Sequence, residues 1–194
     1  QPSARCGVDL GFVNKQLGIE LAGILGSDVY HRFVMTIDVD EAAGTGTVTL
    51  DKPTAIASES PDVRTATSPL EFVMGVIPAV PARVDGVERR LVFDTGAQLS
   101  YLKRGISPGF TPTRTAKDFY NGFGEFDVQL ATGSLQLCGM SIPHFEAGAL
   151  PEILEAGLLV AGTGCDGIIG YDVCLLGKVV LDGPGRKFHF TPRA

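Results

Sequence analysis

Leu91-Val92-Phe93-Asp94-Thr95-Gly96-Ala97 runs an apolar strand into a carboxylate, a small hydroxyl residue and a glycine. The apolar triplet holds the backbone in a core, and Asp94 leaves it at a tight turn with one face toward a cleft. Gly96 lets that turn pass close to a facing copy of itself. Thr95 can hydrogen-bond across and lock two such turns together. Water-activating aspartates are presented in this way. Asp-Thr-Gly is a short motif, and a plain strand-end turn is the alternative reading.

Outward from this turn the pattern is all-β. Residues 88–93 form the strand that delivers Asp94, and 80–84 the strand before it, with Asp85-Gly86 as a two-residue hairpin turn. Residues 70–77 read as one further strand. Beyond the turn, 99–102 continues as a strand and 107–115 is a Pro/Thr-rich loop. Phe119-Tyr120-Asn121-Gly122-Phe123-Gly124 is an aromatic-glycine tip. Strands at 126–130 and 134–137 flank a second turn at Thr132-Gly133. Residues 145–149 are a strand, 151–156 a helical turn or two, 158–161 a strand, and 170–176 a short helix. Residues 178–182 and 187–190 close the chain as a hairpin. The 25 glycines and 12 prolines suit a chain of many strands and turns.

About 70 residues after Asp94 comes Asp166-Gly167-Ile168-Ile169-Gly170-Tyr171-Asp172-Val173. Together with the Asp-Thr-Gly-Ala segment, it resembles the clan of aspartic proteases that contains the retropepsins and pepsins. The nearest likeness is to the bacterial single-lobe, retropepsin-like members, and it extends over residues 69–192. The resemblance implies an all-β lobe in which the apolar-apolar-Gly segment packs under the aspartate and a hairpin flap closes over an extended peptide. It makes Asp94 catalytic and Thr95, Gly96 and Ala97 the active-site turn. Tyr120, Asn121, Gly122 and Phe123 become the flap candidates. An ordinary hairpin with its aromatics turned into the core is the alternative there.

The chain also repeats part of its own end. Gly23-Ile24-Leu25-Gly26-Ser27-Asp28-Val29 aligns with Gly167-Ile168-Ile169-Gly170-Tyr171-Asp172-Val173, without gaps to Asp38 and Asp182, at an offset of 144. Strands are expected over 33–38 and 46–50, and helical turns near 17–21. Residues 1–50 then read as the C-terminal segment of a first protease lobe, 51–68 as a Pro/Ser/Thr/Ala-rich linker, and 69–194 as a retropepsin-like lobe with one short helix. Chance likeness of two glycine-rich segments is the alternative.

A peptide-hydrolysing aspartate works as half of a pair that shares one proton. One Asp-Thr-Gly is present, so the expected assembly is a homodimer, or a lobe completed by an upstream fragment of the same precursor. The expected function is an aspartic endopeptidase acting on peptide or protein, without a cofactor. A catalytically inactive peptide-binding or scaffolding module of the same fold is the alternative.

Composition narrows the other classes. Hydrophobic residues make up 44% of the 194, the net charge is −6, and no basic stripe points to nucleic acid. No apolar run reaches the ~18 residues that span a bilayer. Four cysteines (Cys6, Cys138, Cys165 and Cys174) permit two disulfides in an oxidising compartment or serve as buried thiols. A removed signal peptide or a trimmed chain would each explain a start at Gln1. The expected location is periplasmic or secreted. Gly162-Thr163-Gly164-Cys165-Asp166-Gly167 is a literal G-x-G-x-x-G. It is rejected as a dinucleotide site because too little chain follows for further βα units. His31, His144 and His189 have no metal-ligand spacing.

Overall fold

The computed structural model describes residues 10–53, 64–120, 124–160 and 162–193. It is mostly β-sheet, in two sheets. The larger is built on a hairpin of β5 (Ile77–Val84) and β6 (Val87–Phe93), flanked by β4 (Glu71–Val73). Asp85 and Gly86 both take positive φ, 49° and 77°, as a tight two-residue turn requires. The sheet continues through β11 (Gly167–Ile169), β7 (Tyr101–Leu102), β10 (Met140–Ala149), β9 (Gly124–Leu137) and β8 (Thr111–Tyr120). β9 also returns to pair with β5.

The smaller sheet has the order β2-β1-β12-β13-β3. Its strands are β1 (Val34–Asp40), β2 (Thr45–Asp51), β3 (Ala66–Pro69), β12 (Gly177–Asp182) and β13 (Lys187–Pro192). The first and the last strands of the described residues thus share one sheet, with β1 antiparallel to β12.

Alternation along β5 and β6 sends side chains to two cores. Val80, Val84, Leu91 and Phe93 face the space between the sheets, where they meet Val179, Leu181, Phe188 and Phe190. Ala79 and Val92 face the opposite side, with Tyr101, Leu130 and Ile168. Phe93 and Phe188 pack edge to face with centroids 5.2 Å apart. Each such buried side chain contributes about 1.5–3 kcal/mol. The strand that carries Asp94 is therefore fixed on both faces.

Several local expectations are corrected. Residues 70–77 are not one strand: a turn at Met74–Val76 breaks them, with positive φ at Met74 and Gly75. Thr132-Gly133 is no turn, because β9 runs through it between β8 and β10. The Pro/Thr-rich 111–115 is strand. Residues 158–160 end helix α3 (Glu152–Val160) rather than forming a strand. The expected single short helix is one of four among the described residues. Besides α3, these are α1 (Gly11–Leu17), earlier than the 17–21 expected, α2 (Ser27–Tyr30) and α4 (Asp172–Leu176), which is the short helix expected over 170–176. Of the 51–68 segment, Ala66 to Ser68 lie in β3 against β13.

Candidate active site

Asp94 stands at the C-terminal end of β6, and Asp94, Thr95 and Gly96 are exposed. The turn is held by its own groups. Gly96 N–H donates to Asp94 Oδ1 at 2.9 Å, and Ala97 N–H to the Asp94 carbonyl at 3.1 Å. Among the described residues, no second carboxylate is hydrogen-bonded to Asp94.

The support beneath comes from β11, which threads between β6 and β7. It is parallel to β6, with Ile169 opposite Phe93, and antiparallel to β7, with Ile168 opposite Tyr101. Asp94 N–H donates to the Ile169 carbonyl at 2.9 Å, and Tyr171 N–H to the Ala97 carbonyl at 2.8 Å. Gly170 is needed for this approach. A Cβ there would lie 2.6 Å from the Leu99 carbonyl oxygen and 2.8 Å from that of Ala97.

Ser100 and Asp172 lock the same junction. The Ser100 hydroxyl donates to Asp172 Oδ1 at 2.7 Å and accepts from Gly170 N–H at 3.0 Å. Ser100 N–H donates to Asp172 Oδ2 at 3.0 Å. Burial pushes the Asp172 carboxyl above its usual range, and the bonds from Ser100 partly offset this. Asp172 thus fixes a turn and, by accepting from Val173 N–H at 3.0 Å, the start of α4. Asp166 does similar work, accepting from Arg90 N–H at 3.2 Å.

The β8–β9 hairpin carries the candidate flap. Tyr120 ends β8 opposite Gly124 and is 44% exposed. Asn121, Gly122 and Phe123 lie outside the described residues. Lower on this arm, Asp118 is buried and accepts a hydrogen bond from the buried Tyr101 hydroxyl. Burial, and then Asp118, push the Tyr101 phenol well above its usual range. The hairpin is thereby tied to the strand that follows the Asp94 turn. Sequence reading missed Ser100, Tyr101 and Asp118.

The G-x-G-x-x-G run stands in the reverse of a dinucleotide-binding setting. A helix, α3, precedes it and a strand, β11, follows. Among the described residues, Cys138, Cys165 and Cys174 are free thiols. Among the described residues, no three His, Cys, Asp or Glu side chains gather as a metal site, and no helix is long and apolar enough to cross a membrane.

No family model matches the chain, and no curated protein matches it either.

Proposed function

We propose that the chain supplies one half of an aspartic endopeptidase site. The observation that carries this is the Asp94 turn. Its carboxylate is exposed at a strand end, while β11 passes between β6 and β7 and fixes the turn from below. That arrangement presents a carboxylate with its direction set and its solvent face open.

The chemistry requires a second acid close by. Two adjacent carboxylates cannot both ionise easily, so they hold one proton between them. The ionised member draws a proton from a water held between the pair. The protonated member donates to the scissile carbonyl oxygen, and the water oxygen attacks the carbon. No covalent enzyme intermediate forms. The pair titrates as a unit, which gives a bell-shaped pH profile. An extended peptide would lie between the Asp94 turn and the β8–β9 hairpin, with Tyr120 at its rim.

The second acid belongs to a homodimer partner or to a counterpart lobe completed around residues 1–50. The pairing of β1 with β12 favours the counterpart lobe. This chain already carries, beside its own closing hairpin, a second hairpin of the same design. The alternative, a peptide-binding or scaffolding module, draws on the lack of a carboxylate bonded to Asp94 among the described residues.

Cleavage of a denatured protein between pH 3 and 7, with and without pepstatin, separates these readings. A pepstatin-sensitive, bell-shaped activity is expected. Peptide binding without cleavage would favour the module.

A further inference from the structure

Two segments 144 residues apart have the same local design up to one point, and then part. Val29 N–H donates to the Gly26 carbonyl at 3.0 Å, and Val173 N–H to the Gly170 carbonyl at 3.4 Å. α2 leads into β1 as α4 leads into β12. Each strand then turns through four residues, 41–44 or 183–186, the first copy two residues later than the 144 offset would place it. Each turn closes with a bond from its fourth N–H to its first carbonyl, 3.1 Å at Gly44 and 3.3 Å at Arg186. Gly44 and Arg186 both take positive φ, 63° and 50°.

The pairing register carries the relation into three dimensions. Thr36 lies opposite Val180, its own counterpart at the 144 offset. Met35 lies opposite Leu181 and Ile37 opposite Val179. Exchanging the two copies maps this ladder onto itself. A local two-fold axis therefore passes between Thr36 and Val180.

The copies part at the residues before the helix. Gly167–Ile169 is β11, with a strand on each side, and Ile168 and Ile169 are 8% and 0% exposed. Their counterparts, Ile24 and Leu25, are 66% and 57% exposed. Among the described residues no strand pairs with Gly23–Leu25, and no backbone hydrogen bond reaches those three residues.

We infer that Gly23–Leu25 is the acceptor for a β-strand from a counterpart lobe. Applying the two-fold to β6 sets that strand parallel to Gly23–Leu25. Its final N–H would meet the Leu25 carbonyl, as Asp94 N–H meets Ile169. The occupant is an apolar strand that ends in an Asp-Thr-Gly turn, as β6 does. A second copy of this chain does not supply it, because its own β6 is paired on both sides, by β5 and β11. The turn so placed would bring a carboxylate across the axis from Asp94. That last role rests on the peptidase reading above, whereas the docking itself rests on the repeat and the register alone.

The test is amide hydrogen exchange on the full 194-residue chain, with a synthetic peptide of the sequence of residues 87–97 as the probe. Residues 23–25 should exchange fast in the chain alone. Those that face the docked strand should slow by about tenfold at a peptide concentration roughly ten times Kd. Leu25→Asp, at an exposed site, should keep the fold and lose the slowing, since docking would bury an unpaired charge. No slowing, or equal slowing by a scrambled peptide, overturns the inference. Amides at 23–25 already protected in the chain alone also overturn it: concentration-dependent protection would mean a second copy, and concentration-independent protection closure within the chain. Slowing by the peptide, with no cleavage by wild type produced from the complete gene, leaves the docking intact and removes the peptidase reading. Cleavage by the chain alone without slowing does the reverse.

Discussion

Asp172 accepts two hydrogen bonds from Ser100, from its hydroxyl at 2.7 Å and its backbone N–H at 3.0 Å. The contact joins the first residue of α4 to the chain six residues past Asp94. It fixes the spacing between the Asp94 turn and the strand-helix unit that supports it.

Asp172→Asn should destabilise the fold. Asn offers one acceptor where two are used, and its amide faces the Ser100 N–H. Leaving that buried donor unpaired costs about 1–3 kcal/mol. The pH dependence has a definite sign. Burial raises the folded-state pKa of Asp172 above its unfolded value. The stability linked to this is full below the unfolded pKa and is lost as pH rises through the folded one. Urea melts across that range should show the advantage of wild type over Asp172→Asn narrowing as pH rises. A widening advantage would contradict this.

Gly170→Ala should remove activity and lower the melting temperature. The added methyl would meet two backbone oxygens, at 2.6 and 2.8 Å, which cannot swing aside as a flexible side chain does. Overpacking of this kind costs about 1–3 kcal/mol. Gly157 lies within α3 with nothing within 4 Å of its missing Cβ. Gly157→Ala should stabilise by roughly 0.5–1 kcal/mol. Thermal melts of the two variants should move in opposite directions.

Cys174 should be inert in the native protein. It is fully buried, and burial, followed by the nearby Asp172 charge, pushes its pKa up to about 12. The thiolate, which is the reactive form, is scarce at neutral pH. Maleimide labelling read by mass should find Cys165 and Cys174 unmodified until urea is added, with the half-buried Cys138 reacting first of the three. Native labelling of Cys174 at its unfolded rate, or its recovery in a disulfide, would contradict this.

The legible parts of the sequence were those with local causes. Asp85-Gly86 fixes its hairpin by turn chemistry alone, and the β12–β13 pair follows from alternation. Gly133 misled because it is a packing glycine. The Phe110 ring lies 1.9 Å from where its Cβ would be, and strands on both sides keep the backbone extended. The apolar run 158–160 is too short for its period to separate helix from strand. Met74 turns the chain with a positive φ that no glycine at that position announced. At the site, the Asp94 turn was readable as a motif. Ser100 with Asp172, and Tyr101 with Asp118, are contacts created by the fold, and no spacing in the chain marks them.

The most direct measurement compares wild type with Asp94→Asn, both produced from the complete gene, in cleavage of a denatured protein at the pH of greatest activity. Asn keeps the shape of the turn, since its Oδ1 still accepts from Gly96 N–H, but it cannot act as a base. Cleavage should fall below detection while the melting temperature stays unchanged. Undiminished cleavage by folded Asp94→Asn, or no cleavage by wild type, would contradict the assignment of Asp94 as half of a catalytic pair.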